Sequence, residues 1–130
     1  AEAMTKWIYR MSLISYATGL LLLSTTAHAE GKVTTIDYCR DLSLIGKQVM
    51  AARQQDKPMW EVLPEAIESV GNWAGKYGLD FSAEKVEKAA SMLVIDAYER
   101  IAWNGGSFSE AAISSFENSL FKACYQAMLE

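Results

Sequence analysis

The stretch Tyr38-Cys39-Arg40-Asp41-Leu42-Ser43-Leu44-Ile45-Gly46-Lys47-Gln48-Val49-Met50-Ala51-Ala52 decides the fold. Tyr38, Leu42, Ile45, Val49 and Ala52 follow one another at alternating steps of four and three, which brings them onto one face of a helix. No alternation with the period of two that marks a half-buried strand competes with this reading. Thr34 or Thr35 is placed to cap the helix, Asp37 and Asp41 lie toward the positive end of its dipole, and Arg53 lies toward the negative end. Asp56-Lys57-Pro58 breaks the pattern just past Gln55.

Downstream, the same logic repeats. Pro58 suits a first helical position and Pro64 a second start, so Met59 to Leu63 reads as at most a short helical turn. From Pro64 the stripe Ile67, Val70, Trp73 or Ala74, and Tyr77 carries a helix to Gly78, a C-terminal glycine. Gly71 and Gly75 weaken its interior, and close approach of another helix would explain them. Ser82 caps a third helix with Glu84 in its first turn and the stripe Val86, Ala90, Leu93, Ala97 and Ile101, ended by Asn104-Gly105-Gly106. Ser107-Phe108-Ser109-Glu110 reads as a capping box opening a last helix that buries Ile113, Phe116, Leu120 and Cys124. Helices with short connections and no internal repeat imply an all-α, antiparallel bundle of about four helices.

Upstream, Ala1-Glu2-Ala3 precedes Met4 and reads as a vector-derived scar. Residues 4–29 then have the order of a secretory signal peptide. Lys6 and Arg10 form a positive start, Met11 to Leu23 is uncharged, and Ala27-His28-Ala29 supplies the small-x-small end. The uncharged run is diluted by Ser12, Ser15, Thr18 and Gly19, whereas a stable span needs about 20 predominantly apolar residues. The expected organisation is thus a scar (1–3), a cleaved leader (4–29) and a single helical domain (30–130), with a retained inner-membrane anchor as the alternative.

Cys39 and Cys124 are the only two cysteines. In an exported chain an even count reads as one disulfide in an oxidising space, here fastening the first helix to the last. The alternative is a pair of buried free thiols.

Composition narrows the chemistry. The chain has 130 residues, 12 Lys plus Arg against 16 Asp plus Glu, and 51% hydrophobic residues. That is one globular domain, too acidic for a general nucleic-acid binder, which needs a basic footprint. His28 is the one histidine, and it falls in the leader. The mature domain therefore lacks the usual general base near neutral pH, any Ser-His-Asp or Cys-His nucleophile, and histidine-based zinc sites. No catalytic residue, metal site or cofactor is expected.

The remaining constellations read as structure first. Glu61, Glu65 and Glu68 recur at helical spacing near Trp60 and Trp73. A glycosidase needs two carboxylates facing each other across a cleft, and acids on one helix face form a solvated surface instead. Asp96 and Arg100 are four apart, a surface ion pair worth tenths of a kcal/mol. Asn104-Gly105-Gly106 lacks the spacing of a phosphate loop, and Asn72 and Lys76 beside Gly71 and Gly75 argue against a membrane-packing motif. Met59, Trp60, Trp73 and Trp103 stand apart, because large apolar side chains at helix ends are either lids on the core or anchors for a partner. Exposure alone separates the two roles.

The leader, the helical domain and the long-range cysteine pair together resemble the small exported immunity proteins that bacteria keep against type VI amidase effectors. Cys39-Arg40-Asp41-Leu42 with Phe116-Glu117-Asn118-Ser119-Leu120-Phe121-Lys122-Ala123-Cys124 also resembles prophage-borne periplasmic proteins. The resemblance covers most of the mature domain in architecture and its two cysteine ends in motif, and it carries no binding residue over. It implies a periplasmic protein that binds a protein partner in the cell envelope. The histidine-free mature domain points to a non-enzymatic role, and the proline-marked break beside them makes Met59 and Trp60 the leading anchors. The alternatives are a phage-related, membrane-anchored factor in lysis control or superinfection exclusion, a periplasmic chaperone, and a carboxylate-based hydrolase.

Overall fold

A computed structural model describes residues 28–130 of the chain, with side chains from Thr35 onward. The expected scar, and all of the expected leader but His28 and Ala29, lie outside the described residues. Four helices follow in order: α1 (His28–Gln54), α2 (Met59–Lys76), α3 (Ala83–Tyr98) and α4 (Gly106–Leu129). They run antiparallel, and no strand occurs among the described residues.

α1 is the central element: α4 packs along one side of it, and the α2–α3 hairpin packs on the other. Its apolar stripe explains this position, because Tyr38, Leu42, Ile45 and Val49 are all buried. Three ties set the register of α1 against α4. Cys39 and Cys124 are joined by a disulfide, both fully buried, across a sequence separation of 85. About two turns further on, a Cβ at Gly46 would overlap Leu120 Cδ1 and come within 3.3 Å of Phe116 Cε2. At the far end Ser109 Oγ donates to Gln54 Oε1 at 3.2 Å. The covalent tie contributes about 4–5 kcal/mol in the chain-entropy model, a large share of the roughly 5–15 kcal/mol typical of a domain.

Helix boundaries depart from the sequence pattern for local reasons. α1 starts before Thr34 and Thr35, so neither threonine caps it. Asp37 and Asp41 therefore sit well inside the helix, beyond the reach of its N-terminal dipole. Asp41 instead reaches across to α2. α2 begins at Met59 with Pro58 as its N-cap, and Pro64 is carried inside the helix. The ring removes one helical hydrogen bond, to the carbonyl of Trp60, on a face where both residues are exposed to solvent. Met59–Leu63 is thus the opening of an 18-residue helix and not a separate turn.

α2 closes as expected, with Gly78 at φ 65° and the amides of Gly78 and Leu79 turned back onto the carbonyls of Gly75 and Ala74. Ser82 caps α3, accepting from the Lys85 amide at 3.2 Å. α3 ends at Tyr98, so Ile101 leaves the core stripe and lies exposed. Gly105 occupies the N-cap of α4 with no side-chain bond, so the expected Ser107–Glu110 capping box does not form. The close helix approach expected at Gly71 and Gly75 is found at Gly46: Gly71 has only an ordinary contact with Val86, and Gly75 faces open space.

Candidate functional site

The antiparallel order gathers the end of α1, the start of α2, the end of α3 and the start of α4 at one end of the bundle. Trp60 is 73% exposed there, Phe108 67%, Ile101 64% and Trp103 46%, with Met59 also exposed. Helical phase accounts for Trp60. The buried stripe of α2 begins at Val62 and Ala66, and Trp60 lies two residues earlier, about 200° round at 3.6 residues per turn. Burying Val62 turns Trp60 to solvent.

The segment that carries Trp103 is held by side chains from α1. Gln54 is buried; its Nε2 donates to the Ile101 carbonyl at 2.8 Å, and its Oε1 accepts the Trp103 amide at 2.8 Å as well as the Ser109 hydroxyl. Arg53 donates through Nε and one terminal nitrogen to the Arg100 carbonyl, both at 3.1 Å, and lies over the Tyr98 ring at 5.1 Å. The Tyr98 hydroxyl donates to the Lys57 carbonyl, tying the end of α3 to the α1–α2 connection. Burial pushes the Tyr98 hydroxyl above its ordinary pKa, so it stays a donor throughout the physiological range.

Asn104, Gly105 and Gly106 then take three consecutive positive φ values, 56°, 99° and 78°. Glycine permits this at little cost, and asparagine is among the side chains that tolerate it best. The turn folds α4 back so that the Phe108 ring stacks on Trp103 at 5.1 Å between centroids. Beside this stack a cleft of ≈ 590 Å³ opens between the end of α1 and the start of α4, lined by Gln54, Asp56, Asn104, Gly105, Ser109 and Glu110 among others.

The four aromatic and methionine candidates separate on exposure. Met59, Trp60 and Trp103 lie at this end. Trp73 does not belong with them: it is 4% exposed near the opposite end, its indole N–H donates to the Tyr38 carbonyl at 3.0 Å, and its ring packs on Tyr38 and Phe81. Partner contact through Trp73 is ruled out by that burial, and it is a core residue. Cys39 and Cys124 form the expected disulfide, so the chain holds no free thiol.

Glu61, Glu65 and Glu68 are exposed along α2. The Asp96–Arg100 pair is half-buried and not a surface pair: Asp96 is buried, the separation is 3.7 Å, and Arg100 lies 4.8 Å above the Phe116 ring. Among the described residues no three His, Cys, Asp or Glu side chains gather in the way a metal ion needs. Sequence reasoning missed Ile101, Phe108 and Gln54. Phe108 was hidden inside an apparent capping box, and Gln54 carried one available signal, a polar side chain four residues after Met50 on the buried side of α1.

No family model, curated protein or solved structure matches the chain.

Proposed function

We propose that this chain is a non-enzymatic binding protein of the bacterial cell envelope, an inhibitor or immunity-type factor that engages another protein through the aromatic end of its bundle. The observation that carries the reading is the exposure of Trp60, Ile101, Trp103 and Phe108 together on a frame already fixed by Gln54, Arg53 and Tyr98. Clustered apolar exposure is uncommon on a domain that functions alone, and rigid aromatic anchors lose little conformational entropy on docking. The buried disulfide supports an oxidising, non-cytoplasmic compartment. The leader pattern of residues 4–29 supports the periplasm in particular.

The test uses the full chain expressed with its own leader in a Gram-negative host. N-terminal sequencing should find Glu30 in the periplasmic fraction. A terminus at Met4 or Thr5 in the membrane fraction would favour the anchored, phage-related alternative. Chemical crosslinking in intact envelopes should then give one discrete protein adduct with the wild type, lost in Trp60→Ala and Trp103→Ala. An adduct of equal yield in all three would overturn the site.

A further inference from the structure

Charge at the aromatic end is strongly one-sided. Asp56, Glu61, Glu99 and Glu110 are all exposed there. The bases nearby are mostly turned inward. Arg53 is spent on the Arg100 carbonyl and the Tyr98 ring, and Arg100 on Asp96 and the Phe116 ring. Among the described residues Lys57 is the base left facing solvent at this end. Lys76 and Lys85 are remote, near the opposite end, where Lys76 is paired with Asp41 at 2.8 Å.

The cleft beside the Trp103–Phe108 stack repeats this bias. Asp56 and Glu110 both line it, with the amide and hydroxyl groups of Gln55, Asn104 and Ser109 between them. The last carbonyls of α1 bring the negative end of a helix dipole to the same place. α4 also points its positive first turn there, offset by Glu110 just beyond that turn. An aromatic shelf next to an acid-lined slot suits an apolar segment bearing a cation, since guanidinium and ammonium groups pair with carboxylates and stack on indole faces.

Resting on the proposed docking role of this end, we infer that its occupant is a basic segment of a partner protein, with a lysine or arginine side chain entering the cleft between Asp56 and Glu110. Charge complementarity favours this occupant over the two others. A second copy would bring the same acids against themselves, and an anionic lipid surface would be repelled.

The test is fluorescence anisotropy of two labelled peptides against the oxidised full chain, one alternating lysine with leucine and one with glutamate in place of lysine. The lysine peptide should bind at least about tenfold tighter at about 50 mM salt and lose that advantage near 1 M. Asp56→Asn with Glu110→Gln should remove the preference, while Glu84→Gln with Glu87→Gln, at the far end of α3, should leave it intact. Equal losses in both double variants, equal binding of the two peptides, or no binding of the lysine peptide would overturn the inference. So would tighter binding to phosphatidylglycerol vesicles, or dimerisation abolished by Trp60→Ala in sedimentation. Trp60→Ala separates the two claims. If it weakens both peptides alike while Asp56→Asn with Glu110→Gln changes nothing, the aromatic end still docks a partner and the basic occupant is wrong.

Discussion

Among the described residues, one buried and one exposed aromatic cluster lie toward opposite ends of the bundle, and they are held in different ways. Toward the end where α2 closes, Tyr38, Trp73, Tyr77 and Phe81 pack together with centroids 4.5 to 6.4 Å apart, Tyr38 tilted at 41° on Trp73 and the other two contacts edge to face. Their polar atoms are paired: the Trp73 indole with the Tyr38 carbonyl, and the Tyr77 hydroxyl with Asp41 at 2.6 Å. At the other end Trp60, Trp103 and Phe108 face solvent. In the first cluster the aromatic rings are themselves the stabilising contacts. In the second, backbone and polar groups from Gln54, Arg53 and Tyr98 hold the frame, and the rings are left over. A surplus of ordered, exposed rings is what distinguishes a docking surface from a core.

That contrast can be broken in graded ways. The largest effect should come from the covalent tie behind the buried cluster. Reducing the Cys39–Cys124 bridge removes about 4–5 kcal/mol, and at roughly 4–8 °C per kcal/mol the melting temperature should fall by well over ten degrees in a thermal scan with and without reductant. An unchanged melting temperature would remove the disulfide from the account of stability.

Trp73→Ala should follow, costing about 3–5 kcal/mol through the cavity it leaves and seen as a lower denaturation midpoint. Gln54→Ala should cost less, about 1–3 kcal/mol, by orphaning the Trp103 amide and the Ile101 carbonyl. Its signature is local. Hydrogen exchange should rise between 100 and 109, with the buried cluster unaffected.

The smallest effect is electrostatic. Hydrogen bonds from Lys76 and then Tyr77 hold the Asp41 carboxyl below the ordinary carboxylate range. A lowered folded-state pKa means that the contribution is present at neutral pH and lost as pH falls through that lowered value. Asp41→Asn should therefore lower the neutral plateau of the stability curve slightly and flatten the acid limb below about pH 4, where the variant and the wild type converge. The half-exposed setting keeps the effect small.

Much of the fold is legible in the chain, because stripe and punctuation agree: the α1 positions 38, 42, 45 and 49, the Ser82 cap and the Gly78 stop all appear as written. The candidate site was legible only in part, and Trp60 and Trp73 show why. They stand thirteen positions apart on one helix, about 220° of rotation, so both cannot lie on its buried stripe. Two prolines suggest a break at Pro64, and a break discards the phase that would have separated them. Gln54, Ile101 and Phe108 were harder. Their roles depend on contacts between the last turn of α1 and a connection some fifty residues later, which no local pattern encodes.

The central claim is that the aromatic end serves binding and not folding, and Trp60→Ala tests it most directly when stability and partner retention are measured on the same preparation. The account predicts a melting temperature and helicity close to wild type, since the ring is 73% exposed. It also predicts recovery of the envelope partner weakened at least about 30-fold, the effect of losing an interface anchor worth about 2 kcal/mol. A fall in melting temperature like that of Trp73→Ala, or undiminished recovery of the partner at unchanged stability, would contradict it.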